Sequence, residues 1–300
     1  MAYELPNPLG SKSAGGTFAG YRVDRQGNAV NLTPVDEALN FQQMRGRRTP
    51  VDPSYMVGRN NPVYPGVSVF TTMDIGTDTY LALVQQERPS GDTVLKLVSG
   101  YMTEMHMQNP LAAVKEELSE EILPWAPDGK VIRIAIGDEI TGEPFAGKIQ
   151  SHGYILQAIQ TPVYMPEGLL SPVTVEGNAL ENNPQIFFWL PENNAQLVYA
   201  YHFDGNALRD MGVSLHHSED RFNPITKMLD AVPHPYGIYL AGLDNNKLTS
   251  EIYTMQEGKL VGISHDEFLL SEAFAPIENG FVDRRSIPLQ EYRKMHNRWI

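Results

Sequence analysis

The sequence predicts an α+β fold, and three observations predict it. Short apolar runs rich in Val, Ile and Leu recur along the chain; one well-bounded amphipathic helix follows two of them; and clusters of Gly, Pro, Asn and Asp separate the runs. The first 66 residues read differently. Gly, Pro and Asn are frequent there, and periodicity reaches a helix only over about Val35 to Met44, opened by Thr33-Pro34. Residues 1–66 are therefore expected to form an extended N-terminal arm that needs a surface to lie on.

From Val67 the elements follow in order. Val67 to Thr71 reads as a strand, and Tyr80 to Val84 and Val94 to Val98 as two more, joined through the turn cluster Pro89-Ser-Gly-Asp92. A helix comes next, with Asn109 as its cap, Pro110 in its first turn and Pro124 as its stop. Val131 to Ile136 and Gly153 to Ile159 are further strands. Residues 161–246 form a β-rich insertion, with strands at Ile186 to Leu190 and Leu197 to Tyr201 and a helix near Asn223 to Ala231. Glu251 to Met255 and Lys259 to Ile263 make a hairpin about a Gln-Glu-Gly turn. Ser264-His-Asp-Glu267 is a capping box for a helix reaching Phe274, and residues 275–300 are a tail.

The helix carries the chemistry. Leu111, Val114, Leu118 and Ile122 share one face, and Glu116, Glu117, Glu120 and Glu121 spread over the other side, with Glu121 nearest the apolar edge. Glu116/Glu120 and Glu117/Glu121 are like-charge pairs four residues apart, each costing a few tenths of a kcal/mol. A hard divalent cation, Mg²⁺ or Mn²⁺, would turn that repulsion into binding energy. A solvated acidic face is the plainer reading of the same residues.

Strand, Gly100, loop and acidic helix, in that order, resemble the Nudix hydrolase box, G-x5-E-x7-R-E-U-x-E-E-x-G-U, where U is aliphatic. Glu117-Leu-Ser-Glu-Glu121 matches its E-U-x-E-E core, and Leu83 to Pro89 is similar to the flank of the ADP-ribose pyrophosphatase branch. The chain departs from the pattern at Glu116 for the arginine, Leu123 for the last glycine and Gln108 for the first glutamate. Counting from Gly100 puts His106 at that last position, in a loop two residues longer than the pattern. The resemblance implies a Nudix-like mixed sheet sandwiched by helices over residues 67–274, interrupted by the insertion. It also implies hydrolysis of a nucleoside diphosphate linked to another group. Glu117, Glu120 and Glu121 would hold Mg²⁺ (or Mn²⁺), Glu139 or Glu143 would act as a base from a later loop, and Arg88 and Gly100 would lie against the substrate. The other expectation is a Nudix-like domain that has lost catalysis and serves as a structural or binding subunit.

Composition narrows the partners. A net charge of −13 with no Lys/Arg-rich run argues against nucleic acid and anionic membranes. The absence of cysteine excludes disulfides and thiolate chemistry. The start of the chain has neither a basic region nor an apolar stretch of signal-peptide type, so a cytoplasmic protein is expected. A nucleotide-derived small molecule is the expected ligand, and a homo-oligomer or larger assembly the expected context of the arm. His202, His216, His217 and His234 match no zinc-ligand spacing, and Phe187, Phe188, Trp189, Tyr199 and Tyr201 read as core rather than as a base-stacking platform.

Overall fold

The computed structural model describes residues 11–13, 16–26, 29–47, 62–88, 91–142, 149–163, 171–189, 194–226, 228–244, 247–264, 268–274, 277–278, 281–282 and 286–294. Two long strands, Tyr64–Ile75 and Asn194–Asp204, lie parallel at its centre, in register from Tyr64↔Asn194 to Asp74↔Asp204. Each divides its outer edge between two partners. The first half of the 64–75 strand pairs with Val98–Tyr101 and its second half with Asp78–Glu87. The first half of the 194–204 strand pairs with Gln185–Trp189, and its last residues pair with Ser151–Gln160. Strands that fork in this way cannot stay flat, and the sheet curls into a half-barrel.

Beyond the 78–87 strand the sheet continues through Ile238–Asp244, Lys247–Gln256 and Lys259–Gly262. In the other direction the 151–160 strand runs parallel to Val131–Ile136. Ile122–Trp125 follows, then Ser214–Asn223 and Met228–His234. Period-2 alternation fills both faces of the centre. Val67, Val69, Met73, Ala82, Val84, Leu197, Tyr199 and Tyr201 point into one core, under the helix Pro110–Glu121. Phe70, Leu81, Leu83, Phe187, Val198 and Ala200 point into a second core, closed by Leu270, Phe274, Ile287 and Tyr292.

Among the described residues strand accounts for 62% and helix for 16%, so the expected α+β, Nudix-like mixed sheet sandwiched by helices is overturned: the second face is covered mainly by strands, with one turn at Glu272–Phe274 and the short helix Leu289–Lys294. Two helices expected from local signals are not formed. Asn223-Pro224, at the start of the helix expected near Asn223 to Ala231, makes a turn in which Asn223 Oδ1 accepts from the N–H groups of Ile225 (2.9 Å) and Thr226 (3.2 Å). The flanking 214–223 and 228–234 strands pair across that turn. Residues 265–267 of the expected capping box lie outside the described residues. After them Leu269–Ser271 pairs with Thr93–Lys96 and Ser286–Pro288, and Glu272–Phe274 is a single 3-10 turn. In both places the local signal was compatible with a helix, and strand pairing over a buried face decided otherwise.

In the N-terminal region, Phe18–Gln26 and Ala29–Leu39 form an antiparallel pair, so the strand occupies the first half of the span read as a helix, and the helix begins only at Phe41–Arg47. The pair joins Ser171–Val175 through Val30, Asn31 and Leu32, and Val23, Val30 and Leu32 are buried in the first core. No helix among the described residues is long and apolar enough to cross a membrane.

Candidate functional site

The acidic helix is set on the sheet by its apolar stripe: Leu111, Val114 and Leu118 are buried, and so is Ala113. It ends at Glu121. Ile122 is extended (φ −107°, ψ 110°), and the chain continues as the 122–125 strand, three residues earlier than Pro124 would have stopped it. That strand pairs with the insertion hairpin, Ile122 opposite His217 and Leu123 opposite His216. The hairpin thus closes over the end of the helix and buries Glu121, which is 7% exposed.

Lys96 meets Glu121 there. Its ammonium donates to Glu121 Oε1 at 2.7 Å, to the Ser99 carbonyl at 3.1 Å and to Ser99 Oγ at 3.3 Å, so each of its three protons has an oxygen. The Ser99 N–H donates to the other carboxylate oxygen, Oε2, at 3.0 Å. Burial pulls the Lys96 pKa down, but Glu121, Glu117 and Glu219 outweigh it and hold the ammonium above its ordinary value. Burial acts in the opposite sense on Glu121 and leaves its carboxyl above the usual carboxylate range, although Lys96 and the Ser99 N–H both favour the charged form. With two donors on the carboxylate and three acceptors on the ammonium, the ion pair is the form the geometry supports.

Gly100 follows in the same strand. A Cβ at that position would overlap the Glu117 carboxylate, so glycine is what lets Glu117 lie against the backbone. Glu117 and Glu120 are both half-buried, each with partners of its own. Glu116 is the more exposed, and its Oε2 is 3.1 Å from His106 Nε2, while His106 Nδ1 accepts from the Thr103 N–H at 3.3 Å. The histidine and the glutamate that depart from the box pattern therefore touch each other, with the acid and the base exchanged between the two positions.

The other sequence candidates lie elsewhere. Glu139 is held by Lys115 across an ion pair, on a different side of the helix. Glu143 falls outside the described residues. Arg88 closes a turn, its N–H donating to the Asp92 carbonyl (3.0 Å) and its carbonyl accepting from Gly91 (2.8 Å). Lys115 and Glu139 line a hollow of about 510 Å³ with Gln157, Gln160, Asn182 and Tyr201, and none of Glu117, Glu120 or Glu121 reaches it. Asp138, Glu139 and Glu181 outnumber Lys115 in its lining, a charge balance opposed to a diphosphate.

A Mg²⁺ ion fits the three box carboxylates poorly. Mg²⁺ binds oxygen at about 2.0–2.1 Å, and of the two Glu121 oxygens Oε1 is already taken by Lys96 and Oε2 by the Ser99 N–H. A divalent ion roughly 4 Å from the ammonium would be opposed by about 8 kcal/mol at an effective dielectric constant near 20. Among the described residues no three His, Asp or Glu side chains converge as a metal-binding group.

Sequence reasoning missed Lys96 and Glu219, and it weighed His217 only as a zinc ligand. Lys96 had a signal, a lone charge in the apolar run Val94 to Val98, four residues before Gly100. Glu219 had none, and nothing in the sequence set His217 against Glu121, because the insertion brings them in. His217 Nδ1 is 3.0 Å from the Glu121 carbonyl oxygen, its ring stacks on His234 (centroids 5.6 Å), and Glu219 Oε2 is 3.6 Å from Arg221 Nε. Comparison with protein-family models and with curated proteins returns no match.

Proposed function

We propose that this chain is a Nudix-like protein that has given up metal-dependent hydrolysis and serves as a structural or binding subunit of a larger assembly. The observation that carries this reading is the Lys96–Glu121 ion pair, buried beneath the insertion hairpin and joined by Ser99. A hydrolase of this type needs carboxylates open to a cation and to a substrate phosphate; here one of the three is closed to both. The His106–Glu116 contact and the seating of Glu117 on Gly100 support the box resemblance itself.

A second reading, Mg²⁺-dependent cleavage of a nucleoside diphosphate derivative, is favoured by one observation, the close seat that Gly100 gives Glu117. Product release separates the two. Wild type and Glu120→Gln are incubated with ADP-ribose, NADH, dinucleoside polyphosphates and nucleoside triphosphates, with Mg²⁺ or Mn²⁺. No metal-dependent turnover is expected from either; turnover by wild type that Glu120→Gln abolishes would establish the hydrolase instead.

A further inference from the structure

Lys96 sits among oxygens of the kind that bind hard cations: a carboxylate oxygen, a main-chain carbonyl and a hydroxyl, with the Glu117 and Glu219 carboxylates acting on it through space. Its own strand fixes it there. Lys96 pairs with Val84 in the sheet, so the ammonium is anchored by the backbone and cannot exchange with solvent ions. Arg221 adds a second positive charge nearby, which Glu219 shares with Glu87.

Resting on the non-catalytic reading above, we propose that the Lys96 ammonium is a tethered cation that takes the place of a divalent ion, and that removing it uncovers a latent divalent-cation site formed by Glu121 and the carbonyl and hydroxyl of Ser99. The buried acidic cluster then folds without metal in the wild-type protein. The i,i+4 repulsion between Glu117 and Glu121 is relieved by a side chain rather than by an ion from solution. Lys96→Met keeps the length and apolar stem of the side chain and deletes the charge. It leaves Glu121 buried without its cation, a change that a divalent ion can repair.

Three proteins test this, with Mn²⁺ as the probe: wild type, Lys96→Met and Lys96→Met/Glu121→Gln. Each is followed by thermal unfolding and by the loss of the free Mn²⁺ signal in electron paramagnetic resonance. The wild-type melting temperature is expected not to respond to Mn²⁺. Lys96→Met is expected to melt about 10 °C lower, to regain most of that loss with Mn²⁺, and to bind one equivalent at least about tenfold more tightly than wild type. The double variant, with no buried charge left at the pair, is expected to fold and to ignore Mn²⁺. If Lys96→Met folds only when Mn²⁺ is present, the proposal is equally supported.

A Lys96→Met protein that takes up no Mn²⁺, or that cannot be rescued by it while the double variant folds, overturns the tethered cation. So does wild type binding Mn²⁺ as tightly as Lys96→Met. Product release measured on the same wild-type samples keeps the two ideas apart. Turnover would sink the non-catalytic reading, whereas an inactive wild type with an unresponsive Lys96→Met variant would sink the tethered cation alone.

Discussion

His216 is fully buried, and neither of its ring nitrogens has a hydrogen-bond partner; it is held by stacking on Trp125 (centroids 5.5 Å) and by the edge of Tyr236 (4.9 Å). Burial lowers its pKa from 6.5 to about 4, and it lowers that of His217, with help from Lys96, to about 3. Both histidines are therefore neutral in the folded protein while the unfolded chain takes up protons below pH 6.5. Their contribution to stability is complete above that pH. It is lost as pH falls toward 4 for His216 and toward 3 for His217, by about tenfold in the folding equilibrium per pH unit per histidine. Urea midpoints for wild type and His216→Phe over pH 6.5 to 4 check this: the variant is expected to lose less stability across that range, by the share of one histidine. None of this could be read from the dipeptide His216-His217, because burial is set by Trp125 on another strand and Tyr236 in a turn. Glu121 was more legible. Its place at the apolar edge of the helix was visible in the spacing, and the structure buries it.

At the level of the element, the hairpin Lys247–Gln256/Lys259–Gly262 turns through Glu257 and Gly258 as its sequence predicts. What the sequence does not tell is where that turn docks. Gly258 has φ +74°, its N–H donates to the Val213 carbonyl at 2.8 Å, and a Cβ there would run into the backbone at Arg209, in the helix Gly205–Asp210. Gly258→Ala is expected to cost more than about 1 kcal/mol, since left-handed strain and a collision with main chain add. A urea titration showing a lower midpoint with an unchanged slope would be the expected result, and an unchanged midpoint would contradict the docking. A mistaken helix teaches a related lesson. At Asn223-Pro224 the capping chemistry serves a turn as well as a helix, so the choice passed to the strands around it.

Across the whole molecule, the described part of the N-terminal region contributes one side of its strand pair to the core. Ala19, Tyr21, Val23, Val30 and Leu32 are buried in the main core, and Phe18, Leu39 and Met44 pack with Tyr64 in a smaller one. Full burial of a large apolar side chain is worth roughly 1.5–3 kcal/mol, and a typical domain has only about 5–15 kcal/mol of net stability. A chain beginning at Pro62 is therefore expected to be unfolded or far less stable than the full protein. Thermal unfolding of the two compares them directly; an arm merely lying on a surface would leave the melting temperature unchanged.

The sequence by itself determined the start and apolar face of the acidic helix, the alternation of the central strands, and the hairpin at Glu257-Gly258, because each depends on residues within a few positions of one another. It did not determine how those pieces are layered or what the carboxylates face. Lys96 and Glu121 are 25 residues apart, and the hairpin that seals them comes from nearly a hundred residues further on. A cluster of glutamates on a helix is equally consistent with a metal, with water or with an ammonium. Only the folding of the sheet, which sets a lysine on one strand against a glutamate under another, decided for the ammonium.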